Sequence, residues 1–378
     1  MAEKGKGLGR QLMKKDKGII GSGARIKVGL VRDLRELIEQ ARERVAAAVN
    51  TSLVILYWRI GDRIRREILR EKRAGYGKEI LQTLSAKLVE DYGKGFSERN
   101  LAYMVRFAEV FPEPGIVQTL SAQLSWSHFV EIIPFEDALQ RDFYAEMCRV
   151  ERWSVRTLRD KISGMLYERT AISRKPAKLA KRELEVLRKE DQMTPDLVFR
   201  DPYLLNFLNL ADTYSEKDLE SAILRELERF ILELGVGFSF VARQKRITVG
   251  NQDHYLDLLF YHRKLRRLLA LDLKLGRFQP SDKGQMELYL RWLAKYEREP
   301  GEGSPLGLIL CAGKSDDYIE LMQLAKSGIR VAEYITELPS REILAEKLHQ
   351  AIARAREQIS RSRNFSRLLA QGRRKTRF

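Results

Sequence analysis

A chain of 378 residues with 44% hydrophobic and 32% charged content is long enough for two or three cored domains and too apolar to stay disordered. Its formal net charge is +17, which invites a nucleic-acid partner, while its longest apolar runs, such as Leu306–Ala312, fall far short of the roughly 20 residues that cross a bilayer, so no membrane association is expected. Cys148 and Cys311 are the only cysteines and stand far apart, which excludes a disulfide framework and a Cys/His zinc site and fits a reducing, cytoplasmic setting.

In chain order, residues 1–27 read as a flexible basic tail: eight Lys/Arg face only Glu3 and Asp16, with no apolar stretch of the kind a secretory signal needs. Residues 28–170 read as a helical domain. Leu30, Leu34, Leu37, Ile38 and Ala41 recur at three- and four-residue steps, as one face of an amphipathic helix requires. A second helix is predicted over Thr51–Ile68 and a third over Lys78–Tyr92, stopping at Gly93. Ser97 has the character of an N-cap for a fourth, Glu98–Val110, which ends ahead of Pro112. Further helices are predicted over Ser127–Ile133, Phe135–Val150 and Ser154–Glu168. The pair Ile80–Tyr92 and Ser97–Val110 has the spacing of a helix-turn-helix, in which Arg99, Asn100 and Arg106 would meet phosphates and base edges; a plain helical hairpin is the competing reading. Trp126, Phe129 and Trp153 are expected in the core.

Residues 171–195 are densely charged, contain Pro176 and read as a linker with a partly exposed helix. Residues 196–353 then change texture. A helix over Lys217–Leu234 leads into strands at Phe238–Val249, His254–Tyr261 and Arg267–Leu275. A helix (Asp282–Tyr296), a buried strand (Leu306–Cys311), a helix (Asp316–Ala325), a strand (Ile329–Ile335) and a last helix (Ser340–Ile359) follow. The order αβββαβαβ implies a mixed sheet flanked by helices. Residues 354–378 form a second basic tail. The two tails carry +6 and +8, leaving +3 for the rest of the chain, so the basic excess is terminal and suited to sequence-independent attraction of phosphate.

Two strands carry charges where apolar residues belong. Asp257 interrupts Tyr255–Tyr261, and Asp272 and Lys274 interrupt Leu268–Leu275. Alternation puts Asp272 and Lys274 on one face. Folding the strands about the short polar segment His262–Arg266 places Asp257 opposite Asp272. Two carboxylates facing each other inside a sheet repel and lose hydration unless a cation lies between them, and oxygen ligands without Cys or His favour Mg²⁺, with Mn²⁺ as a substitute. A nearby ammonium completes the parts needed to hydrolyse a phosphodiester. The plain alternative is a buried structural salt bridge, although two acids and one base leave a charge unpaired. Arg243 and Lys245, on the preceding strand, could meet a phosphate backbone or be ordinary strand-edge charges. His254 and His262 are not read as bases.

Over residues 30–350 the chain resembles the YhcG-like family of PD-(D/E)XK nucleases. The likeness rests on Thr194–Tyr203, Tyr255–His262, Leu271–Gly276, Gly284–Leu290 and, in the helical part, Gly93–Leu101. It implies an N-terminal all-helical domain followed by a restriction-endonuclease-like α/β/α domain with a mixed sheet, and a Mg²⁺-dependent nuclease acting on DNA. It further implies Asp257 and Asp272 as metal-binding acids, Lys274 as the motif lysine, Glu220 as the helix acid with Glu226 as its competitor, and Gln285 as the motif glutamine. Many relatives carry Glu where this chain has Asp272. A nucleic-acid-binding or assembly protein that keeps the fold without turnover is the alternative, and a homo-oligomer is open.

Overall fold

The computed structural model describes residues 28–70, 76–210 and 213–357; the basic segments 1–27 and 358–378 lie outside the described residues. The chain divides into two compact units, residues 1–50 and 51–378. The described part of the first is the beginning of helix α1 (Val28–Arg70), whose charges pair along the helix, Arg32 with Glu36 and Arg42 with Glu39, both at 3.1 Å. Two helices were expected here. One forms: Ala46–Ala48 are strong helix formers, no Pro interrupts the run, and the cap-prone Asn50, Thr51 and Ser52 are carried inside the helix.

In the second unit, α2 (Tyr76–Tyr92), α3 (Glu98–Val110), α4 (Pro114–Ser121), α5 (Trp126–Ile132), α6 (Ala138–Glu151), α7 (Val155–Ser163) and α8 (Leu166–Arg169) follow. Ser97 does stand at the N-cap of α3, without a side-chain capping bond. The end of α1 packs through Tyr57 and Ile64 against Leu101 and Met104 of α3, with Leu81, Leu84 and Leu88 of α2 at the margin. Gly61 makes the close crossing possible: a Cβ there would lie 1.8 Å from the Met104 carbonyl oxygen. Glycine costs a helix about 1 kcal/mol relative to alanine, so its place here reflects the crossing rather than helix propensity. Gly61→Ala is expected to destabilise the protein by about 3 kcal/mol, as overpacking against backbone does. Urea unfolding checks this, and a neutral or stabilised variant would show that the helices separate freely.

Residues 171–195, read as a linker with a partly exposed helix, expose that helix on one face and bury the other. They contain α9 (Ala177–Glu190), whose Ala180, Leu184 and Leu187 are buried in the same cluster as the preceding helices and the sheet. Those three positions recur at three- and four-residue steps, so a helix dense in charge still carries a burying face. Its Arg188 meets the fully buried Glu146 of α6 at 2.5 Å.

After α10 (Pro195–Val198) comes a sheet of six strands: β1 (Tyr203–Leu204), β2 (Phe238–Val249), β3 (Gln252–His262), β4 (Arg267–Arg277), β5 (Leu306–Gly313) and β6 (Ile329–Ile335). Their order is β1-β6-β5-β4-β3-β2. β2, β3 and β4 form an antiparallel meander, whereas β4, β5, β6 and β1 run parallel. Helices α11 (Glu216–Arg225) and α12 (Leu227–Leu234) replace the single predicted helix and break at Glu226, whose ψ is 32°. They share one face of the sheet with the helical region, and α13 (Pro280–Tyr296) covers the other through Met286, Tyr289, Leu290 and Leu293. Helix α14 (Asp316–Leu321) and a helix over residues 341–357 complete the unit. Among the described residues no helix is long and apolar enough to cross a membrane.

The β3–β4 turn is closed by His262, whose Nδ1 accepts from the Leu265 amide at 3.0 Å. Burial, reinforced by Lys264, pushes this imidazole down to about 4. It is a neutral turn residue and no base.

Candidate active site

The β3–β4 register is the one the turn predicts, running from His262↔Arg267 to Leu258↔Leu271, and it stops one pair short of Asp257 and Asp272. On its other side, β3 pairs with β2 through Arg243↔Leu258 and Lys245↔Leu256, and the intervening pair, Gln244 with Asp257, is missing from the ladder. Gln244 has φ of 43°, in the left-handed region. Alternation fails at the same level: Leu256 and Leu259, three residues apart, both join the cluster under α13. β4 thus leaves β3 at Asp257, while β2 skips the one pair there and resumes at Lys245↔Leu256. The sheet opens there into a gap that side chains, rather than backbone, must fill.

Asp257 occupies the gap, half-buried. Its Oδ2 accepts from the Leu273 amide at 2.8 Å, and its Oδ1 accepts from Gln244 Nε2 at 3.1 Å. The same nitrogen donates to Glu220 Oε2 at 2.7 Å, so one amide bridges two acids. Glu220 projects from α11 and is 8% exposed; its Oε1 has no hydrogen-bond donor, with Arg243 Nε 3.9 Å away. Glu226 sits at the α11–α12 break beside Arg229 at 3.5 Å and does not reach this cluster. The break turns the choice between the two glutamates into one of position.

Asp272, on β4, is 2% exposed. Lys274 Nζ approaches its Oδ2 to 2.9 Å as an ion pair. Burial pushes the Asp272 carboxyl up to about 7; Lys274 opposes the shift and Asp257 adds to it. Burial works against the Lys274 ammonium too, but Asp272 outweighs it and holds the lysine above its usual range. Lys274 is therefore a fixed cation at neutral pH. Its far side meets Gln285 Oε1 at 3.5 Å; Gln285 Nε2 donates to the Tyr289 hydroxyl at 2.6 Å, and that hydroxyl donates to the Tyr255 carbonyl at 3.1 Å. Gln285 and Tyr289 lie four residues apart on α13 and so share a face.

The donor set is three carboxylates without Cys or His, which suits a hard divalent cation. Glu220 and Asp272 are buried, and Glu220 Oε1 has no hydrogen-bond donor, which is the condition a cation relieves. As they stand, no three His, Cys, Asp or Glu side chains among the described residues lie close enough together to hold a metal ion. Gln244 bridges Glu220 and Asp257, and Lys274 pairs with Asp272.

The residues expected to meet nucleic acid fare unevenly. Arg243 is exposed beside Glu220, whereas Lys245 is drawn away to Glu297 at 2.7 Å, with Nζ 6.0 Å from the Trp292 ring centre. In α3, Asn100 is no free base reader: its Nδ2 donates to the Gly95 carbonyl at 2.5 Å and its Oδ1 accepts from Trp126 Nε1 at 2.9 Å. Arg99 lies over the Tyr103 ring at 5.7 Å, and Arg106 pairs with Glu109 at 2.8 Å. Phe129 and Trp153 pack inside, as expected, whereas Trp126 is only partly buried against the same cluster. The sequence reading missed Tyr289, which its spacing from Gln285 could have signalled. It also missed Glu216, which accepts from the Leu275 amide at 3.2 Å. The segment Thr194–Tyr203 proves to be a structural brace: Asp201 takes Arg174 at 2.5 Å and also Lys314, and Asp196 takes Arg330 at 3.0 Å.

Residues 33–169 match the family described as DUF1016 N-terminal domain, and residues 196–350 match the YhcG PDDEXK nuclease domain. A protein of Escherichia coli (strain K12) described as "Putative nuclease YhcG" is 35% identical over 344 residues, which cover 82% of this chain and 91% of the relative. Among solved structures, a repair endonuclease from Pyrococcus abyssi is 23% identical over 34% of this chain and 50% of its own, with a TM-score of 0.24. A structure titled as an EndoMS–dsDNA2 complex is 19% identical over 35% of this chain and 48% of its own, with a TM-score of 0.26. With both halves matched and a third of its residues shared with a relative it nearly spans, this chain belongs to the YhcG family of PD-(D/E)XK nucleases.

Proposed function

We propose that the chain is a Mg²⁺-dependent nuclease that hydrolyses phosphodiester bonds in DNA, with Mn²⁺ able to substitute. The observation that carries the reading is the gap at Asp257. There Glu220 and Asp257 share one amide, Asp272 beside them pairs with Lys274, and a buried Glu220 oxygen is left without a donor. Glu220, Asp257 and Asp272 would hold the cation. When bound, a hard divalent ion supplies Lewis-acid stabilisation of the negative charge that grows on a phosphate under attack.

The chain's own residues do the rest. Lys274, protonated and aimed by Asp272 and the Gln285–Tyr289 chain, places a positive charge where a non-bridging phosphate oxygen can rest. Tyr289 is anchored on the β3 backbone, so this direction is set by the sheet. Arg243, exposed at the rim, offers a contact to a neighbouring phosphate. The terminal basic segments add attraction without sequence preference.

Labelled single- and double-stranded DNA and RNA, incubated with Mg²⁺, Mn²⁺ or EDTA, test the reading. DNA cleavage with either metal and none in EDTA is the expected result. Cleavage that persists in EDTA would sink the metal requirement, and preferential cutting of RNA would sink the substrate. Salt-sensitive binding without any cutting would point to the non-catalytic alternative.

A further inference from the structure

We infer that Gln244 is a placeholder for the cation: its amide occupies the space between Glu220 and Asp257, and its departure sets how tightly the site takes up a divalent ion. The inference rests on the metal reading proposed above and adds a residue to it.

Three observations carry it. The first is chemical. Gln244 Nε2 lies 2.7 Å from Glu220 Oε2 and 3.1 Å from Asp257 Oδ1, so both amide hydrogens are spent on two carboxylates. Both neighbours only accept, so the nitrogen and not the amide oxygen must face them. A neutral amide satisfies the two oxygens without neutralising either charge. The acids are held side by side, and their negative potential is kept for a cation.

The second is conformational. Gln244 adopts φ of 43°, a left-handed region that is unfavourable for a non-glycine residue, and its ladder pairing with Asp257 is missing. A glutamine serving only as a strand residue would keep the ladder. The backbone here is bent to aim one side chain into the gap.

The third concerns what remains unsatisfied. Glu220 Oε1, on one of the two acids that the amide bridges, has no hydrogen-bond donor. A cation shared by these acids would take over the amide's two contacts and reach the oxygen it leaves bare. Amide and cation therefore compete for the same carboxylates, and removing the amide favours the cation.

Mn²⁺ binding to the full-length protein without substrate provides the test, read as free Mn²⁺ by electron paramagnetic resonance and as heat by calorimetry. Gln244→Ala and the volume-matched Gln244→Met remove the competing donor. Each is expected to tighten Mn²⁺ binding about tenfold, the equivalent of one charge-assisted hydrogen bond no longer broken. Gln244→Lys tethers an ammonium in the same space and is expected to weaken Mn²⁺ binding by more than about tenfold. Unchanged or weaker binding in both Gln244→Ala and Gln244→Met would overturn the placeholder and leave Gln244 as structural glue. A different failure identifies the reading beneath it: if wild type takes up no Mn²⁺ and Asp257→Ala changes nothing, the metal site itself is wrong and the placeholder falls with it.

Discussion

Asp257→Ala is expected to leave the protein folded and to lower DNA cleavage by at least about 10³-fold, because the metal and oxyanion terms it would remove amount to several kcal/mol of transition-state stabilisation. Asp257 is the most informative of the three acids to remove. Its two oxygens serve the Leu273 amide and Gln244, so the structural loss is two hydrogen bonds at a half-open position, about 1–2 kcal/mol. Against that loss, Asp272 is relieved of a like charge that helps hold it near 7. Single-turnover cleavage should therefore collapse while the circular dichroism spectrum stays that of wild type. A folded variant that still cuts at more than a tenth of the wild-type rate would place the chemistry elsewhere. Asp272→Ala would be harder to interpret, since it also strands the partly buried Lys274 without its partner.

The largest loss of stability is expected far from the gap, at Glu233→Ala. This glutamate, on α12, accepts from Arg169 of α8 at 2.5 Å, from Arg200 at 2.9 Å and from the Leu204 amide at 2.9 Å. Burial would raise its carboxyl, but Arg200 and then Arg169 hold it below the usual glutamate range. Both arginines are nearly fully buried, so removing the one acid they share leaves two guanidinium groups uncompensated, at a cost of about 3–5 kcal/mol. The network joins the helical region to β1 and the sheet, so a fall of that size in urea unfolding at neutral pH should unfold both together. A loss under about 1 kcal/mol would mean that water replaces the carboxylate, as it does at an exposed pair. The pH dependence has a definite sign. The native carboxyl releases its proton at lower pH than the unfolded one, so its contribution is complete above the ordinary glutamate range. It fades as pH falls through the depressed native value, and the variant should lack that part of the acid sensitivity.

Much of the fold was legible in the residues because the information was local. The strands Phe238–Val249 and Ile329–Ile335 are bounded as their patterns predict, and the β3–β4 register follows from the short turn at His262–Arg266. The charged interruptions at Asp257, Asp272 and Lys274 stood out because they break strands that carry apolar residues on both faces. Elsewhere local reasoning was overruled. Residues 171–195 are dense in charge, yet α9 buries Ala180, Leu184 and Leu187, because density of charge says nothing about its angular distribution around a helix. Asn100 has the chemistry of a base reader, but Trp126, 26 residues on, claims its oxygen.

The pair that opened the chemical argument shows the division most clearly. Period-two alternation and one tight turn were enough to bring Asp257 and Asp272 to the same level of adjoining strands. Only the tertiary structure decided that the ladder stops just before them, that Glu220 rather than Glu226 arrives from α11, and that Gln244 stands between the acids. Alternation and turns are set by neighbours along the chain. The gap depends on a left-handed residue in β2, a break at Glu226 and a helix packed on each face of the sheet, and none of these is encoded within the span of one strand.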